Sequence, residues 1–296
     1  MRIRGLMVGA VAAALILPLA ACGKSNDSGS GGSNPPANNQ AKFEDGTTMA
    51  TLNKAGKVKV GTKFDQPLFG LKALSGKPEG FDVEVAKIIA AKLGISADKI
   101  EWVETPSKVR EEVIEQGKVD FVVATYTINA TRKQRITFAG PYYEAGQDLM
   151  VKKDDSKVTG PDSLKAAGTR VCSVTGSTPA ENIKKYIDAD KLTLFDVYSK
   201  CADALRTGQV DAVTTDNVIL LGLVDASKGD FKLVGKPFTK EPYGIGIKKG
   251  DTKFCQFIDD TLKEAAGNGQ YEKAWKDTAG KVAPDTPSLP TADACA

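Results

Sequence analysis

Strand-like and helix-like segments alternate along this 296-residue chain, and the alternation occurs in two copies. The first copy predicts strand, helix, strand, helix and strand at 58–62, 81–93, 100–104, 106–116 and 119–124. The second copy predicts the same order at 170–174, 178–187, 192–197, 200–206 and 210–215. Alternation at this spacing is typical of α/β folds, in which parallel sheets carry helices on both faces. Two copies in a chain of this length predict two lobes.

A short sequence pattern occurs in both copies. Residues 117–120 and 208–211 share the pattern G-x-V-D, and each follows a predicted helix and opens a predicted strand. Both glycines suit helix C-caps, because glycine readily adopts the left-handed conformation found there. Continuing the alignment places Thr125 opposite Asp216, so that each strand ends in a polar residue at the same point.

The segment 119–143 joins a buried strand to a polar strand end and an arginine. Its first six residues are almost continuously apolar, which is typical of a strand covered on both faces. Thr125 and Thr127 follow, and Asn129 can cap a short helix whose first turn carries Arg132. Ligands of open α/β sheets bind at the carboxyl ends of strands. An arginine at that place offers a planar pair of donors for a carboxylate.

This segment resembles the amino-acid-binding segment of family 3 periplasmic-type solute-binding proteins, where D-x-x-x-(x)-T-I-T-x-x-R precedes F-(S)-x-P-Y-Y. The matching residues are Asp120, Thr127, Ile128, Asn129, Arg132, Phe138, Pro141, Tyr142 and Tyr143. The resemblance extends from about residue 58 to 278. It implies a type II, two-lobe periplasmic-binding-protein-like fold, in which each lobe is a mostly parallel sheet with helices on both faces. Two crossover strands near 147–152 and 243–248 would form the hinge.

The resemblance also implies the division of the chain. We expect lobe 1 at 43–148 plus 244–296, with the final helices returning to it, and lobe 2 at 149–243. A signal peptide at 1–21 and a flexible tether at 22–42 would precede the lobes.

For a zwitterionic amino acid, the resemblance implies one binding residue for the α-carboxylate and another for the ammonium group. Arg132 would bind the α-carboxylate with hydroxyl support from Thr127, and Thr125 would face the same cleft. Asp216 matches the family aspartate that takes the ammonium group. The alternatives are a surface arginine in a basic helix and, for Asp216, an ordinary helix cap.

The turn at 175–178 resembles the G-T-T loop of the family, which stands here as Gly176, Ser177 and Thr178. It lies between a predicted strand and a predicted helix, where backbone N–H groups attract anions. We therefore include Ser177 and Thr178 among the ligand-binding residues, with a simple helix cap as the alternative.

The first β-α loop departs from the family pattern of an aromatic residue followed by Pro-Pro-Phe. It reads KFDQP at 63–67 and resembles actinobacterial glutamate-binding members rather than the glutamine or histidine types. Lys63 would neutralise a side-chain carboxylate of the ligand, with Lys72 as a second option, and Asp65 belongs to the same predicted set. Most lysines are solvated surface charges, which is the alternative here. The family motif at 80–82 is expected to pack and to start a helix rather than to contact the ligand.

The N-terminus reads as a targeting segment. A basic start and an apolar stretch at 6–21 end in Leu-Ala-Ala-Cys, which looks like a bacterial lipobox with Cys22 as the lipidated residue. A plain secretory peptide is the alternative. The segment that follows is too poor in apolar residues to fold, and it predicts a flexible tether. Removing residues 1–21 lowers the formal charge from +3 to +1, because it removes Arg2 and Arg4 and no acids. That balance gives no reason to expect nucleic acid as a partner.

Four further cysteines, in an exported chain, favour disulfides over metal binding. Of the three pairings, Cys172–Cys201 and Cys255–Cys295 are favoured, because each pair lies within one expected lobe. The chain contains no histidine, which removes Ser-His and Cys-His pairs and histidine-ligated metal sites. We therefore predict no cofactor, no metal and no catalytic residue.

Together these features predict a monomeric, lipid-anchored receptor on the extracytoplasmic face of the cell membrane. It would bind a polar L-amino acid, with glutamate ahead of aspartate and glutamine, and deliver it to the permease subunits of an ABC importer. The alternative is a secreted dehydratase-like enzyme on the same fold, acting on an amino-acid-like substrate. That enzyme would need a further carboxylate as general acid, for which Glu144 and Glu181 are the nearest candidates. A sensor ectodomain is a third alternative.

Overall fold

The computed structural model describes residues 34–296. The predicted signal peptide, the lipidation site at Cys22 and the first part of the tether lie outside the described residues. Among residues 34–296, no helix is both long and apolar enough to cross a lipid bilayer.

The strands are β1 (Val58–Thr62), β2 (Asp65–Gln66), β3 (Gly70–Lys72), β4 (Pro78–Glu79), β5 (Ile100–Glu104), β6 (Phe121–Val122), β7 (Thr137–Ala145), β8 (Gln147–Lys152), β9 (Val171–Val174), β10 (Leu192–Phe195), β11 (Ala212–Asp216), β12 (Phe231–Leu233) and β13 (Glu241–Ile247). The α-helices are α1 (Thr48–Ala55), α2 (Phe81–Lys92), α3 (Arg110–Glu115), α4 (Ala130–Lys133), α5 (Ser163–Ala166), α6 (Thr178–Asn182), α7 (Tyr198–Thr207), α8 (Asn217–Ala226), α9 (Thr252–Gly267) and α10 (Gln270–Asp277).

Two five-stranded sheets form the two lobes, in the orders β5-β1-β6-β13-β7 and β10-β9-β11-β8-β12. In the first sheet β5, β1 and β6 run parallel, while β13 pairs antiparallel with both β6 and β7. In the second sheet β10, β9 and β11 run parallel, while β8 pairs antiparallel with both β11 and β12. The predicted two-lobe α/β fold is confirmed.

The chain passes between the sheets twice. The first passage is at Gly146, between β7 in the first sheet and β8 in the second, and the return lies between β12 and β13. The two predicted linking segments therefore belong to different sheets. Because β8 and β13 are each fixed within one sheet, the short stretches that precede them are the places where the backbone can bend.

Several predicted elements are shorter in the structure. The predicted helix at 106–116 begins at Arg110, because residues 107–109 form a 3-10 turn and the Thr105 hydroxyl bonds to Val103 O instead of capping a helix. The predicted strand at 119–124 pairs as a strand only over Phe121–Val122. It cannot extend past 124, because Thr125 adopts the left-handed conformation, with φ of 45°. The predicted helix at 178–187 is α6 followed by a 3-10 turn.

An aromatic cluster fills the core of the first lobe and ties the C-terminal helices to it. The Trp275 ring of α10 lies 5.2 Å from Phe81 and stacks on Tyr143 at 5.3 Å between centroids. Trp275 is buried, as are Phe254 and Ile258 of α9. The C-terminal helices thus return to the first lobe, as the family resemblance implies.

Both favoured disulfides are present. Cys172–Cys201 joins β9 to α7 inside the second lobe, and Cys255–Cys295 fastens the C-terminal tail to α9. Among residues 34–296, the sulfur atoms of Cys255 and Cys295 and the carboxylate of Asp259 lie close together. Because both cysteines are oxidised in the disulfide, the group offers no thiolate to a metal ion.

Removing the tail disulfide should lower the free energy of unfolding substantially. The bridge closes a loop with a sequence separation of 40 residues, for which chain entropy predicts a loss of about 3–4 kcal/mol in a Cys255→Ser/Cys295→Ser variant. Urea unfolding followed by circular dichroism measures this loss, and the wild-type protein under reducing conditions serves as a comparison. An unchanged midpoint would mean that the tail is held by its other contacts alone.

Candidate ligand-binding site

A small cavity of about 10 Å³, which is close to the space that one water molecule needs, lies between the two lobes. The residues that line it are Ser107, Arg110, Thr125, Thr127, Ser177, Thr178, Pro179, Tyr198, Asp216 and Ile219. The first four follow strands of the first sheet and the other six belong to the second lobe. The cavity unites five of the predicted site residues, Thr125, Thr127, Ser177, Thr178 and Asp216. Arg132, Lys63 and Asp65 lie outside its lining.

Thr125 is held at the strand end by a buried carboxylate. Its backbone N–H donates to Asp82 Oδ2 at 2.8 Å, and the Tyr142 hydroxyl donates to Asp82 Oδ1 at 2.6 Å. The Thr125 hydroxyl contacts Gln66 Oε1 at 3.0 Å. Burial raises the pKa of Asp82 to about 7. Asp82 therefore fixes the left-handed turn at Thr125, a role that its predicted place in a packing motif did not include.

Asp216 is the carboxylate of the cavity. It is buried at the end of β11, and its Oδ2 accepts a 2.6 Å hydrogen bond from the Tyr243 hydroxyl. Its Oδ1 has no hydrogen-bond partner among the described residues. Burial, together with the negative charge of Glu241, raises the pKa of Asp216 to about 7. Although Asp216 occupies the N-cap position of α8, its side chain makes no capping hydrogen bond. Its unpaired oxygen is thus available to a donor inside the cavity.

Ser177 does act as a helix cap. Its Oγ accepts from Ala180 N at 3.1 Å, at the start of α6, and donates to Val174 O at 2.7 Å. The alternative interpretation, a simple helix cap, therefore holds for the Ser177 side chain. Ser177 nevertheless lies on the cavity wall.

A chain of hydroxyls crosses from one lobe to the other. Thr178 Oγ1 donates to the buried carboxylate of Glu241 at 2.6 Å, and Thr127 Oγ1 lies 3.2 Å from Thr178 Oγ1. Because Thr178 has only one hydroxyl proton and donates it to Glu241, Thr127 is the donor between the two threonines. Glu241 thus orients both hydroxyls that face the cavity.

Arg132 is buried, and each of its three nitrogen atoms contacts an acceptor. Nη1 donates to Thr127 O at 2.7 Å, Nη2 donates to Gly176 O at 3.0 Å, and Nε lies 3.1 Å from Glu111 Oε1. Burial, with the nearby positive charge of Arg110, lowers the pKa of Arg132 to about 10. Asn129 caps α4 by accepting from Arg132 N at 2.9 Å, as predicted. These contacts use three of the five N–H groups of the guanidinium, and the role of Arg132 as the carboxylate-binding residue stays a prediction.

Arg110 is the cation that the sequence reasoning missed. Its guanidinium lies 4.1 Å from the ring centroid of Tyr126, and Nη1 donates to Ala124 O at 3.0 Å and Thr125 O at 3.1 Å. Its buried Nε has no hydrogen-bond partner among residues 34–296. The available signal was an arginine in the first helical turn after a strand end, the same signal that pointed to Arg132.

Lys63 and Asp65 lie behind the cavity wall. Lys63 is buried and donates to Ser107 Oγ at 2.8 Å, so one side chain separates its ammonium from the cavity. Burial, with the positive charge of Arg110, lowers the pKa of Lys63 to about 7. Asp65 accepts from Tyr198 N, in the other lobe, at 2.7 Å. Direct contact of either residue with a ligand stays a prediction.

Two α/β lobes with a polar cavity between them are the arrangement expected of a two-lobed solute-binding protein. The chain belongs to the bacterial extracellular solute-binding proteins, family 3, whose profile matches residues 58–278.

Known proteins of this kind match the chain over most of its length. It is 40% identical over 262 residues to the ABC transporter glutamine-binding protein GlnH of Bacillus subtilis, which covers 88% of this chain and 92% of that protein. It is 38% identical over 286 residues to the glutamate-binding protein GluB of Corynebacterium glutamicum, covering 94% and 90%. A solved structure of an ancestral arginine-binding protein bound to glutamine matches with a TM-score of 0.70 and 36% identity. That match covers 75% of this chain and 97% of the other.

Proposed function

We propose that this protein is a receptor that binds a polar L-amino acid, glutamate in the first place, and delivers it to the membrane subunits of an ABC importer. The observation that carries the proposal is a pair of unsatisfied buried groups on one cavity, Asp216 Oδ1 and Arg110 Nε. Burying a charged group without a partner costs free energy, which a ligand with complementary charges recovers. An amino acid carries an ammonium group for Asp216 and a carboxylate for the cations.

Two cations could receive a side-chain carboxylate, which favours glutamate over glutamine. Arg110 lies on the cavity wall, and Lys63 lies directly behind it. A ligand whose side-chain carboxylate pairs with Lys63 would raise the lowered pKa of that lysine. Two relatives of the chain are named for binding glutamine and glutamate respectively.

The remaining contacts of the ligand follow from the same geometry. With the ammonium group at Asp216, the α-carboxylate would accept from the guanidinium of Arg132 and from the Thr127 hydroxyl, once that hydroxyl turns away from Thr178. Closing the lobes excludes water, which strengthens each of these electrostatic contacts. The closed, loaded form is the one that the importer would recognise.

The location of the receptor is part of the same proposal. The lipobox-like sequence at 19–22 supports lipidation of Cys22, and the segment at 22–42 would give the lobes reach above the membrane. A monomer attached in this way faces the extracytoplasmic space and meets the permease within the plane of the membrane.

Binding without turnover agrees with the position of the two carboxylates that an enzyme would need. Glu144 and Glu181 are exposed, and neither lines the cavity. A dehydratase of this fold would require a general acid in reach of the ligand.

A thermal-shift screen of residues 22–296 against the free amino acids tests the proposal. Glutamate at about 100 times its Kd is expected to raise the free energy of unfolding by about 2.7 kcal/mol. D-glutamate is the matched control, because it has the same charges in the wrong arrangement. NMR of the recovered ligand should show it chemically unchanged. A screen in which no L-amino acid raises the melting temperature would refute the receptor function.

A further inference from the structure

Away from the cavity, the first β-α loop contacts the second lobe at two places. The Asp65 carboxylate accepts from Tyr198 N at 2.7 Å and from Ser199 N at 3.4 Å. The Pro67 carbonyl lies so close to α8 that a Cβ on Gly222 would be only 2.4 Å from its oxygen. None of Asp65, Pro67 and Gly222 lines the cavity.

The N-terminus of α7 has no cap within its own lobe. Val197 occupies the N-cap position and offers no side-chain acceptor, and the first turn carries no acidic residue. The first N–H groups of a helix need acceptors, and the helix dipole makes that end positive. Asp65 supplies both an acceptor and a negative charge from the opposite lobe. Because its donor and acceptor lie in different lobes, this hydrogen bond depends on how close the two lobes are to each other.

Each side of the contact is fixed within its own lobe. The loop is held by hydrogen bonds from Phe81 N to Leu68 O at 2.8 Å and from Asp82 N to Phe69 O at 3.1 Å. Helix α7 is bonded to β9 through the disulfide of Cys201. The contact therefore joins a loop that is attached to the first lobe and a helix that is attached to the second lobe.

We propose that Asp65 is a positioning residue that holds the lobes closed by capping α7 across the cleft, and that Gly222 provides the seat for the Pro67 carbonyl. This proposal rests on the proposed receptor function and adds a determinant of affinity that touches no ligand atom. A contact present only in the closed form increases affinity for every ligand by the same factor, because it shifts the open–closed equilibrium. The capped residue Tyr198 also lines the cavity, so that the same contact fixes one wall of the site.

Calorimetric titration of Asp65→Ala with L-glutamate and with L-glutamine tests the proposal. Both dissociation constants should rise by about tenfold, with their ratio unchanged, as expected for the loss of one charge-assisted hydrogen bond. Asp65→Asn keeps an acceptor oxygen and should recover part of the loss. A change in the ratio of the two constants would overturn the proposal, because it would place Asp65 on the ligand. Unchanged affinities would overturn it as well.

Hydrogen exchange distinguishes failure of the contact between Asp65 and α7, here called the latch, from failure of the receptor function. The amides of Tyr198 and Ser199 should exchange faster in Asp65→Ala than in the wild-type protein, with the clearest difference under saturating glutamate. A wild-type protein that binds no amino acid refutes the receptor function alone, since the exchange of the ligand-free proteins can still be compared. Equal exchange of these amides in wild type and variant, in every state measured, overturns the latch.

The glycine seat has a matched control. Gly222→Ala places a methyl group against the Pro67 carbonyl, whereas an alanine at Gly267 in α9 meets nothing within 4 Å. Both substitutions remove a glycine from a helix, which by itself favours the helix, so a lower thermal stability of ligand-free Gly222→Ala than of Gly267→Ala would report the contact with Pro67. Gly222→Ala should weaken the binding of both amino acids by about tenfold or more, and Gly267→Ala should leave it unchanged. Equal affinities of the two variants would overturn the seat.

Discussion

An Asp216→Asn variant is expected to bind its amino-acid ligand at least about 100-fold more weakly than the wild-type protein. The carboxylate is buried, and its Oδ1 has no hydrogen-bond partner among the described residues, so the ligand ammonium would be the charged group that bonds to it directly. Breaking a buried ion pair by removing one charge costs about 3–5 kcal/mol, and each 1.4 kcal/mol is about tenfold in affinity. Calorimetric titration with glutamate measures the loss.

The same substitution should have a different effect on the empty protein. Burial raises the pKa of Asp216 from 3.8 to about 7. An acid with a raised pKa in the folded state binds protons more tightly there than in the unfolded chain. Its contribution to stability therefore falls as the pH rises between these two values. Asparagine cannot ionise, so the ligand-free variant should lose less stability than the wild type between pH 4 and pH 7.

Asp225→Asn is the matched control, because it makes the same change on an exposed part of α8. It should alter neither the affinity nor the pH dependence of unfolding. Wild-type affinity in Asp216→Asn would place the ammonium group elsewhere in the cleft, whatever the stability measurements show.

The fold could be predicted from the sequence because its signals are local and repeated. Gly117 and Gly208 adopt φ of 64° and 78° at helix ends, as their place before each strand predicts. Asp216 could be found for the same reason, since alignment of the two copies places it at the end of a strand. The shortened elements show the limit of such patterns, since the strand that ends before Thr125 is interrupted by a backbone conformation that a threonine rarely adopts.

The direction of a long side chain is what the sequence could not predict. Arg110 and Arg132 both lie in a first helical turn after a strand end, yet Arg110 lines the cavity while Arg132 bridges Thr127 and Gly176 beside it. The 3-10 turn at 107–109 makes Arg110 the first residue of α3, whereas the sequence predicts a helix that already begins at 106. The hydrogen-bond partner of Asp65 also lies beyond the reach of local patterns, because it is a helix end more than 130 residues away along the chain.

An Arg110→Gln variant is expected to change which amino acid the protein prefers. Loss of the guanidinium removes a charged donor from the cavity, and hydrogen bonds to charged groups contribute about 1.5–3 kcal/mol. The affinity for glutamate should therefore fall by about 10- to 100-fold. Glutamine should lose much less, because its side-chain amide brings no charge that needs compensation and can pair with the new amide.

Stability must be measured beside affinity, since Arg110 also donates to the Ala124 and Thr125 carbonyls. Leaving buried carbonyls without a donor costs about 1–3 kcal/mol, and urea unfolding of the ligand-free variant quantifies that loss. Arg135→Gln is the control, because its guanidinium pairs with Glu115 on the surface. A general weakening of the site would reduce binding of glutamate and glutamine alike. Only a larger loss for glutamate identifies Arg110 as the partner of the side-chain carboxylate, and an equal loss for both ligands would assign that carboxylate to Lys63 or Arg132.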